Sequence, residues 1–102
     1  MAKLYITEFR GLQRDGANGS QSALPIGHLP SLAAQTVTIG ATSAQSSALN
    51  AATTFVRIHT DAACHILAGD NPTATTSNLR MPADSTEYFA VTAGQKIAAI
   101  TA

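Results

Sequence analysis

The sequence predicts an all-β protein, an antiparallel sandwich or barrel built from about seven to eight short strands. Short β-prone runs recur at roughly 8–12-residue spacing, which is typical of such folds. Turn-forming residues separate the runs, among them Asp61, residues 69–77 and residues 93–95. Apolar side chains alternate along the runs, and no segment repeats them at helical spacing.

The predicted strands cover both ends of the chain and most of its C-terminal half. They are residues 3–9, 35–40, 54–60, 63–69, 78–82, 86–92 and 96–102. Alternation assigns their faces, because successive side chains of a strand point to opposite sides. Val56 and Ile58 are expected in the core, as are Phe89 and Val91. Residues 97–100 are apolar on both faces, so both faces of the last strand are expected to be covered.

Residues 1–102 are expected to form a single β-sandwich domain in which residues 10–35 are a loop or extended arm able to contact neighbouring subunits. Residues 10–23 carry three glycines among mostly polar neighbours, which indicates a loop. Residues 24–33 contain two prolines and favour an extended conformation, which would add an eighth strand if it pairs. Residues 41–53 are predicted to be a loop because Ser, Thr and Asn are frequent there.

Large apolar side chains of the N-terminal third are candidate contacts to a neighbouring subunit or a larger assembly. The candidates are Tyr5, Phe9, Leu24, Ile26, Leu29 and Leu32. Two alternatives stay open for the proline-marked segment, which either packs on its own domain or crosses a neighbour. The first strand poses a similar choice between an inner strand and an edge strand added to another chain's sheet.

The composition favours a protein that works by packing. Charged residues make up 12% of the chain, against about 25% in ordinary soluble domains. The six basic residues are scattered, which argues against nucleic-acid binding. Alanine, serine and threonine supply 41 residues, so the core is thin and further burial in an oligomer or on a larger body would add stability. No segment has the apolar length of a signal peptide or a membrane span.

Groups that could carry chemistry are present without a diagnostic spacing. His59 and His65 flank a tight connection and could meet across a hairpin, with His28 as a third zinc ligand. The stretch 68–85 offers oxygen ligands at Asp70 and Asn71, with Asp61 and Asp84 in neighbouring turns. It lacks the alternating ligands of a calcium loop and is interpreted as two turns around a short strand. We expect no metal and no cofactor.

Catalysis by a nucleophile is not expected either. Cys64 and His65 are adjacent in a predicted strand and therefore point to opposite faces, so Cys64 is interpreted as a small core residue. The sequence contains none of the phosphate-loop, HExxH or GxSxG patterns. The sequence therefore predicts that the protein is not an enzyme.

The C-terminal part of the chain resembles a known family. Residues 57–100 contain, in order, ACHILAGDNPTAT, LRMP and EYFAVTAGQKIAAI. This stretch is similar to small head proteins of tailed bacteriophages, most of all capsid cement or decoration proteins. The resemblance implies a jelly-roll-like sandwich on the outside of the virion, assembled in the bacterial host cytoplasm. The implied partners are the major capsid protein and further copies of the chain, as a homodimer or homotrimer.

A second hypothesis is a carbohydrate-binding β-sandwich module on a virion surface. Such sites present exposed aromatic side chains to sugar rings. The chain has no Trp, and Tyr5 and Tyr88 are its two tyrosines. This composition argues against the carbohydrate hypothesis.

Overall fold

The structure is a computed structural model that describes residues 2–10, 12–15, 22–27 and 29–102, with backbone pairing alone described for 12–15 and 22–27. All regular secondary structure in these ranges is β-strand. The ten strands are β1 (Lys3–Phe9), β2 (Leu12–Asp15), β3 (Ser22–Gly27), β4 (Ala33–Thr38), β5 (Ala44–Gln45), β6 (Phe55–Thr60), β7 (Cys64–Gly69), β8 (Leu79–Met81), β9 (Ser85–Ala90) and β10 (Lys96–Thr101). None of the described segments is a helix of the length and apolarity that a membrane span needs.

Eight of these strands form two antiparallel four-stranded sheets, as expected for a β-sandwich. The first sheet has the order β4-β1-β6-β9 and the second has the order β5-β10-β7-β8. Counting the strands from β4 onward and placing β1 last reproduces the strand order of a jelly roll. The strand that comes last in the chain of an ordinary jelly roll therefore corresponds to β1, the first strand of this chain. The predicted all-β, jelly-roll-like fold is confirmed.

Strand β1 is an inner strand of its own sheet. It pairs with β4 on one side and with β6 on the other, each over six residues without a bulge. Its alternation of buried and more exposed residues follows the sequence pattern, with Leu4 and Ile6 fully buried. Of the two roles considered for this strand, the structure shows the inner one.

The segment from 10 to 35, predicted to be a loop or extended arm, contains two paired strands and the start of a third, and its contact with neighbouring subunits stays a prediction. Strands β2 and β3 pair with each other as a separate two-stranded sheet, and β4 begins at Ala33. A short strand, β5, also lies within the predicted loop 41–53 and pairs with β10. Two-residue pairings of this kind leave no alternation in the sequence, so β5 could not be predicted from its pattern.

The core lies between the two four-stranded sheets. Its members are aliphatic side chains with one cysteine and one methionine: Leu4, Ile6, Val37, Ile39, Leu49, Val56, Ile58, Cys64, Ile66, Met81, Ile97 and Ala99. Val56 and Ile58 are buried as predicted, whereas Phe89 and Val91 are only half-buried at the margin. They are less buried because β9 is the last strand of its sheet, where the described part of the chain pairs no further strand beside it.

Candidate functional site

The outward surface of the first sheet is a candidate contact surface. Antiparallel register places Tyr5 beside His59 and Tyr88 beside Arg57. We call this surface the outer face, and its side chains are Lys3, Tyr5, Thr7, Ala34, Thr36, Thr38, Phe55, Arg57, His59, Thr86, Tyr88 and Ala90. Two members of this set, Lys3 and Arg57, carry a positive charge, and most of the others are small or aromatic.

Two tyrosines give the outer face its aromatic character. Tyr88 is 62% exposed and Tyr5 is 38% exposed. The Tyr5 ring also lies against the imidazole of His59, with ring centroids 6.2 Å apart. Exposed tyrosines are frequent energetic centres of protein contacts, since they bury much area at little entropic cost. Sequence alternation placed Tyr88 opposite Phe89, but it did not single out Tyr88 as a contact residue.

The six predicted interface residues have different positions. Tyr5 is on the outer face and Leu29 is 75% exposed, so both offer surface to a partner. Phe9 is buried and stacks on Phe55 with centroids 4.9 Å apart. Leu32 is half-buried and its backbone N–H donates to the Glu8 carbonyl oxygen at 2.8 Å. The side chains of Leu24 and Ile26, in β3, lie outside the described part of the chain.

An apolar groove opens at the flank of the sandwich where the edge strands β8 and β9 face each other. Its volume is about 260 Å³, and its walls include Ile58, Ile66, Leu79, Phe89 and Ile97. Leu79 is 48% exposed at the rim. The groove exists because β8 and β9 each end a sheet and do not pair with each other, which leaves the core margin open.

Glu8 is a buried carboxylate that sequence reasoning did not single out. It is 2% exposed and lies on the core side of β1 with Leu4 and Ile6. Its Oε1 accepts hydrogen bonds from the Asn50 backbone N–H at 2.7 Å and the Thr53 hydroxyl at 2.9 Å. Its Oε2 accepts one from Gln35 Nε2 at 3.2 Å. Glu8 thus ties the connection after β5 to the first sheet.

The histidines do not form the zinc site considered from the sequence. β6 belongs to the first sheet and β7 to the second, so the connection between them crosses the sandwich and is not a hairpin. His59 lies on the outer face, with Nδ1 2.8 Å from the Thr86 hydroxyl. His65 is buried, with Nδ1 3.0 Å from the Asn78 carbonyl oxygen. His28 lies outside the described residues.

The stretch 68–85 forms the two turns and short strand that the sequence predicts. β8 lies within it, and Gln45 Nε2 donates to Asn71 Oδ1 at 2.9 Å and to the Pro72 carbonyl oxygen at 2.7 Å. Asn78 Oδ1 accepts from the Thr75 backbone N–H at 2.7 Å. Its polar side chains therefore fix the loop by hydrogen bonds.

Three side chains of metal-ligating type meet at the end of the sandwich where β6 stops and β9 starts. The ligand atoms of His59, Asp61 and Asp84 lie within 4.8 Å of one another. Asp61 follows β6, and Asp84 precedes β9, which pairs with β6. No sequence spacing could reveal this group, because the pairing of two strands far apart in the chain creates it.

Cys64 is a core residue, as predicted. It is fully buried, and its thiol lies 3.6 Å from the Thr60 hydroxyl. Burial raises the pKa of the Cys64 thiol, while the Thr60 hydrogen bond and the Arg80 charge lower it by less. A thiol held protonated in this way is a poor nucleophile at neutral pH.

Comparison with known proteins finds no relative of this chain. No protein-family model matches the chain, and neither a curated protein nor a solved structure matches it.

Proposed function

We propose that the protein is a capsid decoration protein of a tailed bacteriophage, which binds the outside of the head and stabilises the junctions between capsid subunits. The observation that carries this proposal is the outer face, a four-stranded surface with two exposed tyrosines and few charges. The resemblance of residues 57–100 to phage cement proteins supports the same role.

The chemistry of the outer face suits a protein partner. Interface centres are depleted in charged residues and enriched in tyrosine, which is the pattern around Tyr5 and Tyr88. The small neighbours Thr36, Thr86 and Ala90 keep the tyrosines accessible. Because Lys3 and Arg57 are both cations, a capsid surface with carboxylates around an apolar centre would complement the face.

The stabilising mechanism is the burial of surface at many equivalent sites. A homodimer or homotrimer would engage several junctions at once, and linked weak contacts then reach a high overall affinity. In this proposal the partners are the major capsid protein and other copies of the chain. The protein would assemble onto the virion in the host cytoplasm.

Co-sedimentation with empty heads tests the proposal. The gene is expected to lie next to a major capsid gene, and that capsid protein provides the heads. We expect the purified protein to pellet with the heads at a saturable ratio and to raise their melting temperature. If the protein stays in the supernatant at saturating concentration, the proposal is wrong.

A matched pair of variants tests the assigned surface. Tyr88→Ala removes an exposed large side chain from the outer face, and Leu67→Ala removes one from the second sheet. Tyr88→Ala is expected to weaken head binding by roughly tenfold or more per site, the usual effect of losing a central interface tyrosine. Leu67→Ala is expected to bind as the unchanged protein does. The reverse result would place the contact on the second sheet.

Carbohydrate binding is the second candidate, favoured by one observation. Tyr5 and Tyr88 lie on the same face of one sheet, where both rings are accessible. Sugar rings stack on such surfaces. Specific binding on a glycan array, lost in Tyr88→Ala and kept in Leu67→Ala, would support this function.

A further inference from the structure

The end of the sandwich at the margin of the outer face holds a set of metal-ligating side chains, of which only His59 belongs to that face. His59, Asp61 and Asp84 come from β6, from the connection after it and from the turn before β9. β6 pairs with β9 so that His59 lies opposite Thr86 and Thr60 opposite Ser85. This register brings Asp84 to the ring of His59, while Asp61 lies two residues beyond His59.

Contacts outside the donor set orient two of its members. The Thr86 hydroxyl lies 2.8 Å from His59 Nδ1. In the tautomer that carries its proton on Nδ1, this nitrogen donates to the hydroxyl and Nε2 keeps a free lone pair. Asp61 Oδ2 accepts hydrogen bonds from the Lys3 backbone N–H at 3.3 Å and the Tyr5 hydroxyl at 3.4 Å. Such second contacts, which fix a ring and a carboxylate, commonly support metal ligands.

The geometry points to a binding site for one divalent metal ion of the zinc class, and we propose that His59, Asp61 and Asp84 are its ligands. Zn²⁺ takes imidazole nitrogen and carboxylate oxygen at about 2.0–2.2 Å, so its ligands lie about 3–4 Å apart. The three donor atoms lie within 4.8 Å of one another. A small rotation of the exposed Asp84 side chain closes that gap.

The donor set also discriminates among metals. Imidazole favours zinc and its transition-metal neighbours, whereas calcium prefers six or more oxygen ligands. Three protein ligands leave coordination positions open for water. Zinc is therefore expected to bind more tightly than calcium. The inference does not rest on capsid binding, since zinc binding by these side chains needs no partner protein.

Isothermal titration of the tag-free protein tests the site, with zinc chloride and calcium chloride as the probes. We expect one zinc ion per chain and calcium affinity lower by at least about tenfold. Asp84→Asn is the sharpest variant because Asp84 has a φ of 55°, a conformation that Asn tolerates well, so the fold is retained. It is expected to weaken zinc binding by about 10–100-fold.

Asp70→Asn is the matched control, since it makes the same change at an exposed aspartate of another loop. It should leave zinc affinity unchanged. In histidine-ring nitrogen spectra of the unaltered protein, zinc should shift the signals of His59 and leave those of the buried His65 in place. The proposal is overturned if zinc gives no stoichiometric binding, if Asp84→Asn binds as tightly as Asp70→Asn, or if His65 shifts and His59 does not.

Discussion

Replacing Glu8 by alanine should strongly destabilise the fold, although Glu8 is an acidic residue beside an apolar core. Glu8 is 2% exposed and accepts three hydrogen bonds, from Asn50, Thr53 and Gln35. Alanine removes the acceptor for all three donors at once. It also releases the connection between β5 and β6 from the first sheet.

The expected loss follows from how each donor is placed. A hydrogen bond to a charged group contributes about 1.5–3 kcal/mol, and a donor left unpaired in the interior costs about 1–3 kcal/mol. Thr53 is 1% exposed and cannot easily turn to water, whereas Asn50 is exposed and can. We therefore expect a loss of about 3–5 kcal/mol in the free energy of unfolding, a large share of the roughly 5–15 kcal/mol typical of a domain.

Urea unfolding followed by circular dichroism measures this loss as a lower midpoint at unchanged slope. Glu87→Ala is the matched control, because Glu87 is in the same sheet but half-buried on the edge strand β9. It should cost less than about 1 kcal/mol. The loss of unfolding free energy in Glu8→Gln should fall between these two values. The new amide group would place a donor against Gln35 Nε2, and Gln35 cannot simply turn its amide around because its Oε1 already accepts from the Ser47 N–H at 2.9 Å. If Glu8→Ala and Glu87→Ala cost the same, Glu8 does not hold this connection.

Two further predictions concern Cys64 and two glycines. Burial raises the pKa of the Cys64 thiol. The contribution of this thiol to the free energy of unfolding is therefore complete below the pKa of the unfolded state and is lost as pH rises through the pKa of the folded state. Unfolding free energy between pH 8 and 10 should therefore fall more steeply for the unchanged protein than for Cys64→Ala, and equal slopes would contradict the assignment. Gly94 has a φ of 81°, so Gly94→Ala should cost about 1–2 kcal/mol by thermal unfolding. Gly69→Ala, whose added Cβ would lie 3.8 Å from Pro72 Cβ, should be neutral or stabilising; equal costs at both sites would refute the backbone explanation.

Much of the sandwich could be predicted from local pattern alone. The runs that became β6, β7, β9 and β10 are β-prone and separated by turn residues, and in β6 the aliphatic Val56 and Ile58 alternate with Phe55, Arg57 and His59. A strand half-covered by a core must alternate in this way, so the pattern reports both the strand and its buried face. Val56 and Ile58 accordingly lie in the core where alternation placed them.

Pairing between distant strands could not be predicted in the same way. The residues at 61–63 predict a turn, but they do not show whether the turn joins two neighbouring strands of one sheet or crosses to the other sheet. The sequence therefore could not show that His59 and His65 lie in different sheets. The two-residue β5 is too short to alternate. For the same reason the sequence could not foresee that Asp84 would lie beside His59.

The sequence by itself determined the β-rich class, the strand faces and the role of residues 68–85 as turns around a short strand, because these depend on neighbours within a few positions. Tertiary structure alone decided that β1 is an inner strand, that Glu8 is buried and satisfied, and which polar groups meet at the end of the sandwich. Those outcomes depend on contacts between residues 27 to 58 positions apart, as in the links from Glu8 to Gln35 and from Lys3 to Asp61. Such contacts form only when the two sheets close over a shared core, so no local pattern encodes them.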